Sequence, residues 1–180
     1  MQLFFSENIT NNTIILDEIE SKHCIKVLRY KIGDKIYVVD GKGNYYEGTV
    51  LSIENKICSI KIKNLIKNFD KKTYYIHIAI SPLKNQDRLE WFIEKSVEIG
   101  IDEITFINCN RTLRKKNRID RFLKIAKSAM KQTIKASLPK INPVVSYHDF
   151  IKNLTINNKF ICHLEHEISN DIFSYKNKIS

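Results

Sequence analysis

The run from Tyr75 to Thr112, YIHIAISPLKNQDRLEWFIEKSVEIGIDEITFINCNRT, constrains the fold more than any other part of the chain. Tyr75–Ile80 is rich in β-forming residues and ends at Ser81-Pro82, where proline withdraws a donor from any central ladder. Asp87 reads as a helix N-cap, with Glu90 at capping-box spacing. Leu89, Phe92, Ile93, Ser96 and Val97 then recur at helical spacing and give the helix one inward face. Gly100 falls where a left-handed residue closes a helix, and Ile104–Ile107 reads as a second buried strand. Strand, helix and strand in that order imply a parallel sheet with a right-handed crossover.

The residues before this unit have a different rhythm. Leu3–Phe5 reads as a first strand and Asp17 to Tyr30 as a helix capped by Asp17 or Ser21. Ile36–Val39 and Tyr45–Ile53 flank Asp40-Gly41-Lys42-Gly43-Asn44, a strong hairpin turn. After a turn at Glu54-Asn55-Lys56, Ile57–Lys63 alternates, with Cys58, Ile60 and Ile62 on one face. Successive hairpins in so short a segment suggest a small barrel of the PUA or OB type. Asn64–Lys72 reads as a linker. Beyond the central unit, a helix is expected over 117–136, a short one over 147–154, and a strand at Lys159–Leu164. The expected fold class is α+β followed by α/β: a small barrel over 1–70 and a parallel-sheet domain over 73–180.

The chain has 180 residues and a net charge of +10. Eleven of its 30 Lys and Arg residues and a single acid, Asp120, lie between Arg111 and Lys140, so this window carries the whole excess. A localised basic block argues for a polyanionic partner more strongly than a high overall pI does. Arg111, Arg114, Lys115, Arg118 and Arg121, with Arg88 upstream, are the candidate contacts, since guanidinium forks suit phosphates. No apolar run reaches the ~18 residues that a membrane span needs, and no basic region precedes the apolar N-terminal residues as in a signal peptide. Cys24, Cys58, Cys109 and Cys162 form no CxxC pair and read as reduced cytoplasmic cysteines, with no zinc knuckle.

Four further motifs admit two readings each. In HCIKVLRYKIGD, residues 23–34, Lys26 and Arg29 either face phosphates or are solvated charges on an amphipathic helix. Glu94, Lys95 and Glu98 either serve as a metal or acid–base pair or form surface ion pairs one turn apart. HLEHE, residues 163–167, invites zinc but lacks HExxH spacing, and a strand end beside a cleft accounts for it as well. DGKGN resembles a phosphate loop, but no Lys-Ser/Thr follows and no helix opens there, so it reads as a turn.

Taken together, LFF, HCIKVLRYKIGD, VVDGKGNYYEGTV, the 81–112 run and AMKQTIKASLPKI resemble one family. It is that of the bacterial 16S rRNA (uracil-N3)-methyltransferases, the RsmE family, SPOUT-class enzymes with a PUA-like domain in front. EKSVEIG matches its Lys-x-x-Glu-Leu-Gly signature with Ile99 for leucine, and Lys135 stands where an arginine is common. The resemblance implies a PUA-like β-barrel followed by a partial SPOUT-type α/β domain. It implies S-adenosylmethionine as methyl donor, methylation of uridine N3 in small-subunit rRNA, and action as a homodimer on the ribosomal subunit. It places His23, Lys26 and Arg29 on the RNA-facing helix, with Arg88 and the arginines of 111–121 gripping rRNA. It places Leu164 and Glu165 at the cofactor, with catalytic residues expected after Ser180. The family's glycine-rich cofactor loops have no counterpart here, because Gly33, Gly41, Gly43, Gly48 and Gly100 all lie at or before position 100. The alternatives are a non-catalytic RNA-binding remnant, one piece of a split enzyme, or a basic α/β protein that binds another polyanion.

Overall fold

The computed structural model describes residues 2–110, 112, 118–155 and 158–162. Two sheets organise them. The first has five strands in the order β1-β3-β4-β5-β2: β1 (Leu3–Phe5), β2 (Thr13–Ile15), β3 (Lys35–Val39), β4 (Tyr45–Glu54) and β5 (Ile57–Ile66). Its neighbours are antiparallel except β1 and β3, which run parallel with Phe4 opposite Val38. The sheet is curled, and its edges approach each other just past β1, where Ile9 bridges Ile14 and the Ile15 amide donates to the Asn8 carbonyl. The expected barrel is therefore a curled, mixed sheet. The Glu54–Ile57 turn is tight because Asn55 and Lys56 both take positive φ, the geometry that matches strand twist.

The helix expected over 17–30 is shorter and broken. Asp17 caps it by accepting from the Glu20 amide at 2.8 Å, and α1 covers Glu18–Lys22. His23–Val27 then forms a π turn that closes on itself from the Leu28 amide to the His23 carbonyl at 3.0 Å. Arg29, at φ 58, ends it in the left-handed region.

The second sheet is wholly parallel, in the order β6-β7-β8: β6 (His77–Ile80), β7 (Glu103–Asn108) and β8 (Lys140–Ser146). The strand–helix–strand unit is as expected, with α2 at Gln86–Ile99, but its cap is Asn85 rather than Asp87. The Asn85 side chain accepts from the amides of Asp87 and Arg88, so Asp87 sits in the first turn. Gly100 closes α2 at φ 95. Helix α3 is Ile119–Gln132, four residues shorter at its end than expected, and Ile134 is exposed rather than part of the buried stripe. Helix α4 is Tyr147–Lys152. The strand expected at 159–164 is not formed in its described part. Residues 159–162 hold an irregular backbone, and a strand needs a ladder partner.

Two cores result, joined by the period of β1. Phe4 points into the curled sheet with Ile14, Leu16, Cys24, Ile36 and Ile60. Leu3 and Phe5, on the other face, join Leu89, Ile93, Phe106, Phe122 and Met130 of the α/β part. The expected linker is docked as well. Asn64–Ile66 extends β5, and Phe69 stacks on Tyr45 at 4.5 Å. Asp70 accepts from the Ala136 amide (3.2 Å) and from the amide and hydroxyl of Ser137 (3.1 and 2.7 Å). The 40–44 turn leans on the same segment. The Leu138 amide donates to the Gly41 carbonyl, and Gly41 sits at φ 74, where a side chain would be strained and its Cβ would press on Leu138 Cδ1 at 2.9 Å.

Candidate RNA-binding surface

The basic residues of the α1 end and of α3 are far apart in sequence and meet in space. The tie is Glu20, 8% exposed, which accepts from Lys131 of α3 and from the Phe5 amide at 3.4 Å. Lys127, one turn earlier, lies over the Phe5 ring at 4.1 Å. Helix α3 is thereby held against the N-terminal sheet. Between them is a groove of about 470 Å³, walled by Gln2 and His23 on one side and by Ser128, Lys131 and Gln132 on the other. His23 Nε2 and Gln2 Nε2 are 3.4 Å apart at its mouth.

Lys26 faces a second groove, of about 680 Å³, between the α1 end and the β4–β5 turn. Its floor is Ile25, Ile53 and Ile57, and its cations are Lys22, Lys26 and Lys56, opposed by one acid, Glu18. Ile19 borders both grooves. Gln2, Ile19, Lys22, Lys56 and Gln132 were not candidates from sequence. Only the curl of the sheet brings β4–β5 beside α1, and no local signal marks that.

The other predicted contacts are less united. Arg29 is exposed and lines neither groove. Arg88 and Arg118 are exposed at the starts of α2 and α3. Arg121 is occupied, with its guanidinium forking onto both Glu90 carboxylate oxygens, Nη2 to Oε2 at 2.7 Å. That pairing holds Glu90 below its ordinary pKa and ties α3 to α2. Arg111, Arg114, Lys115, Leu164 and Glu165 lie outside the described residues, as does HLEHE. Lys95 pairs with Glu94 and Glu98 at 3.1 and 2.8 Å, which is the surface ion-pair reading of those three.

A polar network lies on the other face of the parallel sheet, lining a cavity of about 480 Å³. Glu103 accepts from the Tyr75 hydroxyl, from Asn142 Nδ2 at 2.5 Å and from Lys140 Nζ at 3.1 Å. Burial pushes its carboxyl up, but these bonds and nearby His77 outweigh burial and hold it at about 2. Burial, reinforced by Glu103, pushes Tyr75 up to about 12. Burial also lowers the His77 pKa, and its Nε2 lies 2.7 Å from Thr105 Oγ1. His77, Glu103 and Lys140 are in register at the amino ends of their strands. Ligands of open parallel sheets bind at the carboxyl ends, so this network serves to pin the strand starts.

A family model described as an RNA methyltransferase domain matches residues 70–179, and one described as an RNA methyltransferase PUA domain matches residues 16–63. The chain belongs to the RNA methyltransferase family. The ribosomal RNA small subunit methyltransferase E of Buchnera aphidicola from Acyrthosiphon pisum is 29% identical over 171 residues, covering 90% of this chain and 67% of the relative. A crystal structure of a probable rRNA-methyltransferase from Porphyromonas gingivalis aligns with a TM-score of 0.75 at 32% identity, over 84% of this chain and 63% of that one. Ribosomal RNA small subunit methyltransferase E from Neisseria gonorrhoeae, solved bound to S-adenosyl methionine, shares the fold with a TM-score of 0.74 at 24% identity, over 86% of this chain and 65% of that one. The chain thus spans about two thirds of the length of these relatives.

For an RNA methyltransferase chain, the carboxyl ends of β6 and β7 are the place to test for a cofactor cradle. Asn108 Oδ1 and both amide atoms of Gln86 are buried there without a hydrogen-bond partner. Ser81 and Thr112 share a 2.8 Å hydrogen bond between their hydroxyls at the same edge. The glycines, however, lie elsewhere. Gly100, the one glycine of the α/β part, caps α2 beside the amino end of β7. A cradle that brings backbone against a cofactor needs glycine at its own edge, so the described residues do not make one for S-adenosylmethionine.

Proposed function

We propose that this chain grips small-subunit rRNA for methylation of a uridine at N3. It works within a homodimer on the ribosomal subunit, with S-adenosylmethionine as the methyl donor. Residues 1–70 are the PUA-like RNA-binding unit and residues 73–180 the methyltransferase part. The observation that carries this reading is the convergence of His23 and Lys131 on one groove, from segments matching two different models that are both described as parts of RNA methyltransferases. The Buchnera relative's name supports small-subunit rRNA as the target.

The residues here bind and orient. Lys26, Arg29, Arg88, Arg114, Lys115 and Arg118 neutralise phosphates, with His23 and Arg111 as further contacts and Arg121 contributing once released from Glu90. Rigid attachment of α3 to the N-terminal sheet fixes the distance between grip and target base, and positioning of that kind accounts for much of an enzyme's rate. S-adenosylmethionine, when bound, supplies an electrophilic methyl group. The alternative reading is a non-catalytic RNA-binding protein.

Two measurements on the purified chain test these readings. Binding to small-subunit rRNA is expected to weaken steeply with salt, and reversal of charge at Arg114, Lys115 and Arg118 to weaken it and flatten the salt slope. An unchanged slope removes the basic block from the interface. Calorimetric titration with S-adenosylmethionine separates the two readings: a measurable affinity supports methyl transfer, and no heat of binding supports the alternative.

A further inference from the structure

We propose that Ile19 is a wedge that parts two neighbouring bases of a single-stranded RNA segment, with one base entering each of the grooves it separates. The proposal deepens the RNA-binding reading above and rests on it. Ile19 is 72% exposed, at the first turn of a helix whose Glu20 and Ser21 are buried. Among the described residues it is the one side chain that borders both grooves. Their volumes, about 680 and 470 Å³, fall in the range of sites that enclose small organic groups, roughly 300–1,000 Å³.

The two grooves differ in chemistry as a base on each side of a wedge would require. The larger has an aliphatic floor of Ile25, Ile53 and Ile57 that suits the flat face of a base. Around it, Lys22, Lys26 and Lys56 outnumber Glu18 and suit the phosphates on either side. In the smaller groove, Lys131 and Glu20 neutralise each other, so its floor does not call for a phosphate. What it offers is the amides of Gln2 and Gln132, the His23 ring and the Ser128 hydroxyl, donors and acceptors suited to a base edge. The π turn sends His23 into one groove and Lys26 into the other. A duplex keeps its bases stacked and paired and presents no gap for Ile19. Single-stranded RNA does.

The test uses the full chain and a short single-stranded oligoribonucleotide that carries an adenine analogue whose fluorescence is quenched by stacking. The same sequence annealed to its complement is the control. The single strand should bind more tightly than the duplex, and the analogue should brighten on binding. Ile19→Ala should weaken single-strand binding about tenfold, the loss of the apolar contact of an isoleucine inserted between bases, and abolish the brightening while leaving the salt slope unchanged. Lys22→Ala should keep the brightening and lower the salt slope. Because Ile19 is exposed, its substitution is not expected to move the melting temperature. Parental affinity and brightening in Ile19→Ala would overturn the wedge and leave the RNA-binding reading standing. Failure of the parent chain to bind either RNA would overturn both.

Discussion

Glu20 carries a polar tie between the two halves of the molecule. Its carboxylate serves the Lys131 ammonium and the Phe5 amide at once, and the side chains of the ion pair are 11% and 22% exposed. Removing it strands a buried N–H and a half-buried cation together. Glu20→Ala should therefore destabilise the fold by about 2 kcal/mol, measured by urea unfolding, where an exposed ion pair would cost well under 1. Lys131→Met should cost less than Glu20→Ala, and the double variant less than the sum of the two. A loss below about 0.5 kcal/mol for Glu20→Ala would mean that the pair is screened like a surface pair. Gly100 makes a different case. At φ 95, a Cβ added there would meet no atom nearer than 3.5 Å, so the cost of Gly100→Ala is backbone strain alone. That cost is about 1 kcal/mol, and it should lower the melting temperature without changing RNA affinity.

At the scale of elements, what was legible in the sequence follows from which signals the helices use. Asp17, the α2 stripe and Gly100 announce themselves by residue type and spacing. Asn85 and Asp87 are both good caps, and only the hydrogen bonds choose between them. Two helices end earlier than expected, and neither end is marked by a glycine. After the π turn, Arg29 takes the left-handed position and Tyr30 bonds back to the Cys24 carbonyl. After α3, Ile134 takes it at φ 54 and Lys135 bonds back to Met130. A β-branched residue there is an outlier that no propensity reading would choose. The same limit hid the grooves, since they lie between elements whose approach depends on the curl of a sheet. The Glu103 network was missed because its members, at 75, 77, 103, 140 and 142, share only a strand register. It makes an acid-range prediction. The folded carboxyl sits at about 2 against an ordinary 4.5, so the unfolded chain binds the extra proton. The stability it contributes is complete above pH 4.5 and is lost as pH falls toward 2. Glu103→Gln should flatten the melting-temperature profile in that window. A parallel profile would show that the carboxyl is not held by its partners.

For the molecule as a whole, the question is whether the two sheets unfold as one. Strand β1 answers it, because three consecutive residues supply both cores. Phe4 is fully buried in one, and Leu3 and Phe5 are buried at 2% and 5% exposure in the other. Tyr45 and Val39 add to the shared core from β4 and β3, and Asp70 fastens the connecting segment to Ser137. A core that spans both sheets makes separate unfolding expensive, because either half alone would expose the apolar face of the other. Unfolding in urea should therefore be a single transition, coincident for the fluorescence of Trp91 in α2 and for hydrogen exchange of the β4–β5 amides. Phe5→Ala removes a ring packed against α3 and should cost about 3 kcal/mol by both probes. If β4–β5 protection outlasted the Trp91 transition, or if Phe5→Ala moved only one probe, the halves would be hinged bodies. The fixed spacing on which a two-sided grip on RNA depends would then be supplied by the RNA instead of the fold.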